Sequence, residues 1–185
     1  MSVLSSESRA KADTLVARYP TARSALLPLL YLVQAEEGHV TRDGMREVAE
    51  ILGLTTAEVE AVATFYTMFK KEPAGKWLVS VCTNVSCALL GGRDLYEKAH
   101  TLLEDERASA DGEFTLEEVE CLGACDGAPV VQVNYCNYFR VSGETLLQMI
   151  ERLRAGDVPE PSQGAKPVEH AATSRILSGL GDDRG

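Results

Sequence analysis

The chain has 185 residues, 45% of them hydrophobic and 25% charged, and carries a formal net charge of −10. The hydrophobic share is that of a globular core and argues against wholesale disorder. The excess of acid argues against nucleic acid as a partner, which needs a basic surface, and against electrostatic docking on an anionic lipid leaflet.

The first 70 or so residues read as helical. Ser6 or Ser8 is placed to cap a first helix that runs to Arg18 and stops near Pro20. A second helix is expected over 21–37, with Leu26, Leu27, Leu29, Leu30 and Val33 on one face and Gly38 at its end. Pro28 falls inside that span, so the helix either starts late, with Pro28 in its first turn, or kinks there. The longest apolar run, 25–33, is interrupted by the same Pro28 and is far shorter than the roughly 20 residues a membrane span requires. With no signal-peptide pattern at the N-terminus, the expected location is a reducing cytoplasm.

Thr41 is expected to cap a third helix to Leu52, closed by Gly53. Thr55 followed by Glu58 has the form of a capping box and opens a fourth helix reaching about Phe69. Four short helices joined by short loops make a small bundle. Phe65, Tyr66, Met68 and Phe69 are too many large apolar groups for one stripe of a short helix. Some are expected to pack on the second domain and some on a partner, the alternative being that all are internal core.

After Pro73 the pattern changes. Residues 77–81 are a strand candidate, 86–104 a helix, 105–112 a polar loop, and 114–120 an alternating, half-buried strand. Val130–Val133 and Tyr138–Val141 complete the strands, with Asn134-Tyr135-Cys136-Asn137 as the hairpin turn between them. Ser142 caps a last helix to about Arg154. A strand, crossover helix and second strand form a parallel pair, and the hairpin adds antiparallel strands. The fold class is therefore α+β, with a small mixed sheet behind a helical bundle. From Gly156 onward, prolines and glycines thin the pattern, apart from an apolar patch at 174–180.

Five cysteines are present, and four fall in two close pairs: Cys82 and Cys87 in CTNVSC, Cys121 and Cys125 in CLGAC. An odd count without a secretion signal argues against a disulfide framework. Cys136 stands alone and reads as a small strand residue. Both pairs lie at strand ends, and the C-terminal ends of parallel strands share one sheet edge, so two loops can surround one small object. A [2Fe–2S] cluster takes four cysteines, two per iron, and suits a pair-plus-pair arrangement. Structural zinc also takes four cysteines at such spacings and stays open at this point. A dithiol redox site normally has two intervening residues, and neither pair does. Helix starts and glycine loops supply amides to anionic sulfurs, here at Ser86-Cys87 and around Gly123, with Gly123 and Gly127 permitting close approach.

The runs VATFYTMF at 62–69, VCTNVSC at 81–87, and EVECLGACD with APVV at 118–131 closely resemble one family. It is the thioredoxin-like [2Fe–2S] subunit of the NADH dehydrogenase module of respiratory complex I (NADH-quinone oxidoreductase). The resemblance covers about residues 8–155. It implies a helical bundle over 1–72 and a thioredoxin-like domain over 73–155, leaving 156–185 as a flexible tail. It implies one [2Fe–2S] cluster on Cys82, Cys87, Cys121 and Cys125, and a flavoprotein partner that binds FMN and NADH. It further implies a place peripheral to the membrane, reached through the complex. Related subunits serve NAD-linked hydrogenases and formate dehydrogenases, and the shared motifs do not choose among hosts. The hairpin departs from the family, which more often has an acidic residue and no cysteine there; that leaves Cys136 unassigned.

The chain carries no dinucleotide fingerprint: Gly91-Gly92 lies within the expected fifth helix rather than after a strand. His39, His100 and His170 have no neighbouring nucleophile in sequence and read as surface or packing residues. The expectation is a one-electron carrier that oxidises no NADH alone, hydride chemistry residing in the flavin partner. Glu117, Glu118, Glu120 and Asp126 crowd the second pair in sequence and oppose an added electron, which predicts a low-potential cluster. The rival function class is a zinc-stabilised interaction module with no redox role.

Overall fold

Polar side chains ahead of the first turns fix where the N-terminal helices begin. The computed structural model describes residues 3–107 and 112–180. The chain divides into two units, one of residues 1–73 with 170–185 and one of residues 74–169.

In the first unit the Ser5 hydroxyl accepts from the Ser8 amide and starts α1 (Ser6–Val16), a residue earlier than the expected caps. A 3-10 turn at Ala22–Ala25 leads into α2 (Leu26–Glu37). The late start puts Pro28 in the first turn, where its missing N–H forfeits no intrahelical bond. Gly38 closes α2 at φ 75°. Thr41 accepts from the Gly44 amide and opens α3 (Arg42–Leu52), and Thr55 with Glu58 forms the expected capping box ahead of α4 (Thr56–Phe65). The core joins Leu15, Leu29, Leu30, Val33, Val48 and Val59.

Helix α4 stops short of the expected Phe69. The chain leaves the helical path so that Phe69 is buried against Tyr31, with ring centroids 5.0 Å apart. The same turn lets the Lys70 amide donate to Gln34 Oε1 at 2.7 Å, and the Lys70 carbonyl accept from the Val40 amide at 2.7 Å. Met68 is half-buried against this core, while Phe65 and Tyr66 form an exposed edge-to-face pair.

The second unit is a sheet in the order β2-β1-β3-β4. Strand β1 (Trp77–Cys82) is buried at every position and pairs in parallel with β2 (Phe114–Val119), Trp77 opposite Phe114 and Cys82 opposite Val119. Between them lie α5 (Val85–Leu89) and α6 (Gly92–Arg107). One continuous helix was the expectation for this stretch; Gly91, at φ 92°, breaks it into two. Strands β3 (Val131–Val133) and β4 (Cys136–Tyr138) are antiparallel, and α7 (Gly143–Arg154), capped by Ser142, completes the unit. The strand-helix-strand-hairpin-helix order is the expected one, and the class is α+β. The hairpin turn is tighter than expected. Asn134 and Tyr135 alone form it, at φ 45° and 69°, the pattern of a two-residue type I′ turn, so Cys136 and Asn137 belong to β4.

The stretch 156–185, expected as a flexible tail, carries described structure as far as Leu180; residues 181–185 lie outside the described residues. Along the edge strand β4, the Ser162 amide donates to the Asn137 carbonyl at 2.8 Å and the Phe139 amide donates to Ser162 Oγ at 2.9 Å. That covers an edge that would otherwise offer unpaired backbone groups. Residues 170–180 belong to the first unit, as α8 (His170–Arg175) and a π-helical turn at Ile176–Leu180. Gln34 Nε2 donates to buried Ser174 Oγ at 3.1 Å, and Arg175 pairs with Glu36 at 2.9 Å. The apolar patch at 174–180 packs on α2 of the same chain. Such a contact, about 140 residues apart in sequence, leaves no mark on local periodicity.

Candidate metal centre

Strand β1 ends at Cys82, and Asn84 turns the chain into α5 by accepting from the Val85 amide at 2.6 Å. The Cys87 amide donates to the Asn84 carbonyl at 2.8 Å, which fixes Cys87 on the first turn. Just past Cys82, Thr83 N–H donates to the Val119 carbonyl of the neighbouring strand β2, carrying the parallel pairing to the lip of the sheet. Cys121 follows two residues later, and Cys125 begins a 3-10 turn at Cys125–Gly127.

All four cysteines line one cavity of about 220 Å³, together with Val85, Leu122, Gly123 and Val130. The pairs differ in environment. Cys82 and Cys87 are buried in an apolar floor with Ala128 and Val130, whereas Cys121 and Cys125 are exposed at the rim. Among the described residues, no three His, Cys, Asp or Glu side chains converge on a single-ion site.

Burial pushes the Cys87 thiol up to about 11. A hydrogen bond from the Val130 backbone pulls the other way, and the neighbouring Cys82 and Cys125 sulfurs raise it further. A thiolate in that floor therefore needs a compensating positive charge, which a metal centre supplies. The Gly123 amide donates to Cys121 Sγ at 3.4 Å, in the manner expected of this loop, and Cys82 Sγ donates to the Glu120 carbonyl at 3.8 Å. Donor chemistry, pairwise arrangement and amides aimed at sulfur all fit a [2Fe–2S] group, in which each iron takes two thiolates.

Glycine shapes the cavity differently from the sequence reading. Gly123, at φ 67°, faces open space, and Gly127 lies against the Phe139 ring, where a Cβ would come within 2.3 Å. The glycine that lies against the cysteines is Gly92, at the start of α6. A Cβ there would stand 2.5 Å from the Cys82 carbonyl oxygen and 2.8 Å from that of Cys87. Sequence reasoning missed it because the pair Gly91-Gly92 was assigned to a helix interior. The available signal was the cost of glycine in such an interior, which argues for a special backbone role.

Two of the four acids expected near the second pair, Glu117 and Glu118, are held by hydroxyls. Thr83 Oγ1 donates to Glu118 at 2.8 Å, and Ser80 Oγ donates to Glu117 at 3.3 Å. Glu118, Glu120 and Asp126 are exposed. Cys136 is half-buried in β4, with Sγ 3.6 Å from the Ala165 carbonyl, and does not line the cavity. His39, His100 and His170 do not line it either.

Comparison with known proteins agrees with this geometry. The family profile of the thioredoxin-like [2Fe–2S] ferredoxin matches residues 12–154. The E subunit of NADH-quinone oxidoreductase from Mycobacterium tuberculosis is 45% identical over 175 residues, covering 94% of this chain and 69% of that protein. NADH-quinone oxidoreductase subunit 2 of Thermus thermophilus is 39% identical over 145 residues, covering 76% of this chain and 80% of that one. Among solved structures, an NAD+-reducing [NiFe]-hydrogenase in its H2-reduced state shares the fold, with a TM-score of 0.58 and 22% identity over 73% of this chain. The match spans only 23% of that hydrogenase chain. By profile and by close relatives alike, this chain belongs to the thioredoxin-like [2Fe–2S] ferredoxin family.

Proposed function

We propose that the chain is the electron-transfer subunit of an NADH:quinone oxidoreductase, respiratory complex I. It holds one [2Fe–2S] cluster on Cys82, Cys87, Cys121 and Cys125 and exchanges one electron with the FMN of an NADH-binding flavoprotein subunit. The observation that carries this reading is the lining of one cavity by two thiol pairs, one buried and one at the rim. The names of the relatives at 39–45% identity support the host complex. When bound, the group supplies a one-electron acceptor and donor. Cys82 and Cys87 anchor it in an apolar floor that excludes water. Cys121 and Cys125, exposed at the rim, would hold its surface side. The Gly123 and Val130 amides offset negative charge on sulfur, and Glu118 opposes its increase.

Among the described residues no helix is long and apolar enough to cross a membrane. The proposed setting is cytoplasmic, peripheral to the membrane through the rest of the complex. The subunit oxidises no NADH alone. Likeness of fold to the NAD+-reducing hydrogenase favours one second reading, the same subunit in a hydrogenase assembly.

Anaerobic purification of the assembly from its native membrane tests both. The expected result is iron–sulfur absorption in this chain and co-purification of a flavoprotein with quinone-reductase subunits. Co-purification with hydrogenase subunits favours the second reading, and a colourless chain contradicts both.

A further inference from the structure

Short helix α5 leaves large aliphatic side chains in solvent beside the cysteines. Val85 is 69% exposed, Leu89 84% and Leu90 61%. Val85 lines the cysteine cavity, and Leu89 follows it at i+4, so the two share a helix face and extend the apolar edge of that cavity outward. Nothing in the fold of the second unit requires them there. The core of α5 is Cys87, and Leu95, Ala99 and Leu103 of α6 already face the sheet. A cluster of exposed aliphatics rimmed by polar groups marks an interaction site.

The rim is acidic. Glu118 is tied to Thr83, next to Cys82, and Glu120 and Asp126 adjoin the exposed cysteines in sequence. No Lys or Arg occurs between Trp77 and Gly92 or between Glu113 and Arg140; the Arg140 guanidinium, which donates to the Asp126 carbonyl at 3.5 Å, is outnumbered at the second loop by Glu118, Glu120 and Asp126. An apolar patch bordered by one sign of charge selects a partner with an apolar patch bordered by the other sign.

We propose that Val85, Leu89 and Leu90 are the docking lip of the cluster site. On this proposal they seat a redox protein whose contact face is apolar and ringed by lysine and arginine. The proposal rests on the function proposed above and identifies the surface through which that function operates. Apolar contact at the lip expels water between the exposed cysteines and the partner's redox centre, while the acids steer approach and fix orientation. A second copy of this chain fits less well, because it would bring two acidic rims together.

The test uses the whole chain and the FMN-loaded flavoprotein subunit, with Leu89→Asp and Leu90→Asp, both outside the cavity lining, as variants. Leu147→Asp, an exposed aliphatic of α7 outside the cavity lining, is the control. The expected result is unchanged iron–sulfur absorption in every variant, with affinity for the flavoprotein weakened roughly tenfold or more for the two lip variants alone. Association of the wild type should also slow as salt is raised. Unweakened binding by lip variants that keep the absorption overturns the docking proposal and leaves the cluster function standing. A wild-type chain without that absorption overturns the function itself. Self-association of the wild type, abolished by Leu89→Asp while flavoprotein binding is kept, reassigns the lip to a second copy and also overturns the proposal.

Discussion

Gly92 lies against the backbone of Cys82, its missing side chain leaving a gap that a methyl group would close to 2.5 Å from the carbonyl oxygen. The strand end and the first turn of α6 meet there without space for a Cβ. Gly92→Ala should force apart Cys82 and Cys87, destabilising the second unit by about 1–3 kcal/mol, as overpacking commonly does. The variant should melt at a lower temperature and bind less iron per chain. Wild-type melting and iron content in Gly92→Ala would show that the close approach has no bearing on the site.

Asn134 is buried in the hairpin turn, and its side chain holds three backbone groups: the Leu78 amide at 2.8 Å, and the Lys76 and Val168 carbonyls at 3.0 and 2.7 Å. Asn134→Ala leaves a buried N–H and carbonyls without these partners, at about 1–3 kcal/mol for each unsatisfied group. The positive φ of 45° adds strain once asparagine is lost. Denaturant unfolding should give a lower midpoint for Asn134→Ala, and Asn134→Gly should recover the strain component only.

The C-terminal segment completes the first unit. Gln34 is fully buried and joins the Lys70 amide, the Met68 carbonyl and Ser174. Gln34→Ala should destabilise that unit by about 1–3 kcal/mol. Truncation after Glu169 should go further, since it strips α8 from the apolar face of α2. Binding of a hydrophobic dye to the truncated chain, absent for the full chain, is the expected signature; no dye binding and an unchanged melting temperature would contradict it.

Glu58 gives a pH dependence with a definite sign. Its carboxyl is held at about 2, against an ordinary 4.5, by the Thr55 backbone N–H first and then by the Arg23 guanidinium and the Thr55 hydroxyl. A depressed folded value means that the carboxylate stabilises the fold fully above the ordinary value, and that this contribution fades as pH falls toward about 2. The melting-temperature gap between wild type and Glu58→Gln should therefore be constant at neutral pH and close between about 4.5 and 2. A gap that widens on acidification would have the wrong sign.

Glu118, bonded to Thr83 beside Cys82, should lower the midpoint potential of the cluster. A single charge at about 10 Å and an effective dielectric near 20 amounts to roughly 1.7 kcal/mol, or about 70 mV for one electron. Glu118 is exposed, so solvent screening makes this an upper bound. Redox titration of Glu118→Gln should give an upward shift of some tens of millivolts or less, and a downward shift would contradict the electrostatic argument.

Features written in local chemistry were legible before the fold was known. Thr41, Thr55 with Glu58, and Ser142 announced three helix starts, and alternation over 114–120 announced β2. The two thiol pairs stood out by their spacing in sequence, and the structure brings all four to the lining of one cavity. Features set by distant contacts were not legible. The end of α4 depends on Phe69 meeting Tyr31 and on Gln34 receiving the Lys70 amide. The order at 170–180 depends on α2, and the role of Gly92 depends on two carbonyls that only the folded sheet edge brings to it. The hairpin turn was placed too broadly because Tyr135, a residue seldom found at positive φ, occupies its second position.

The most direct test of the central claim is the iron, acid-labile sulfide and zinc content of anaerobically purified chain. A binuclear cluster on the four cavity cysteines predicts about two irons and two sulfides per chain, lost together in Cys87→Ser and kept in Cys136→Ser. Zinc without iron, or full iron retained in Cys87→Ser, would contradict it.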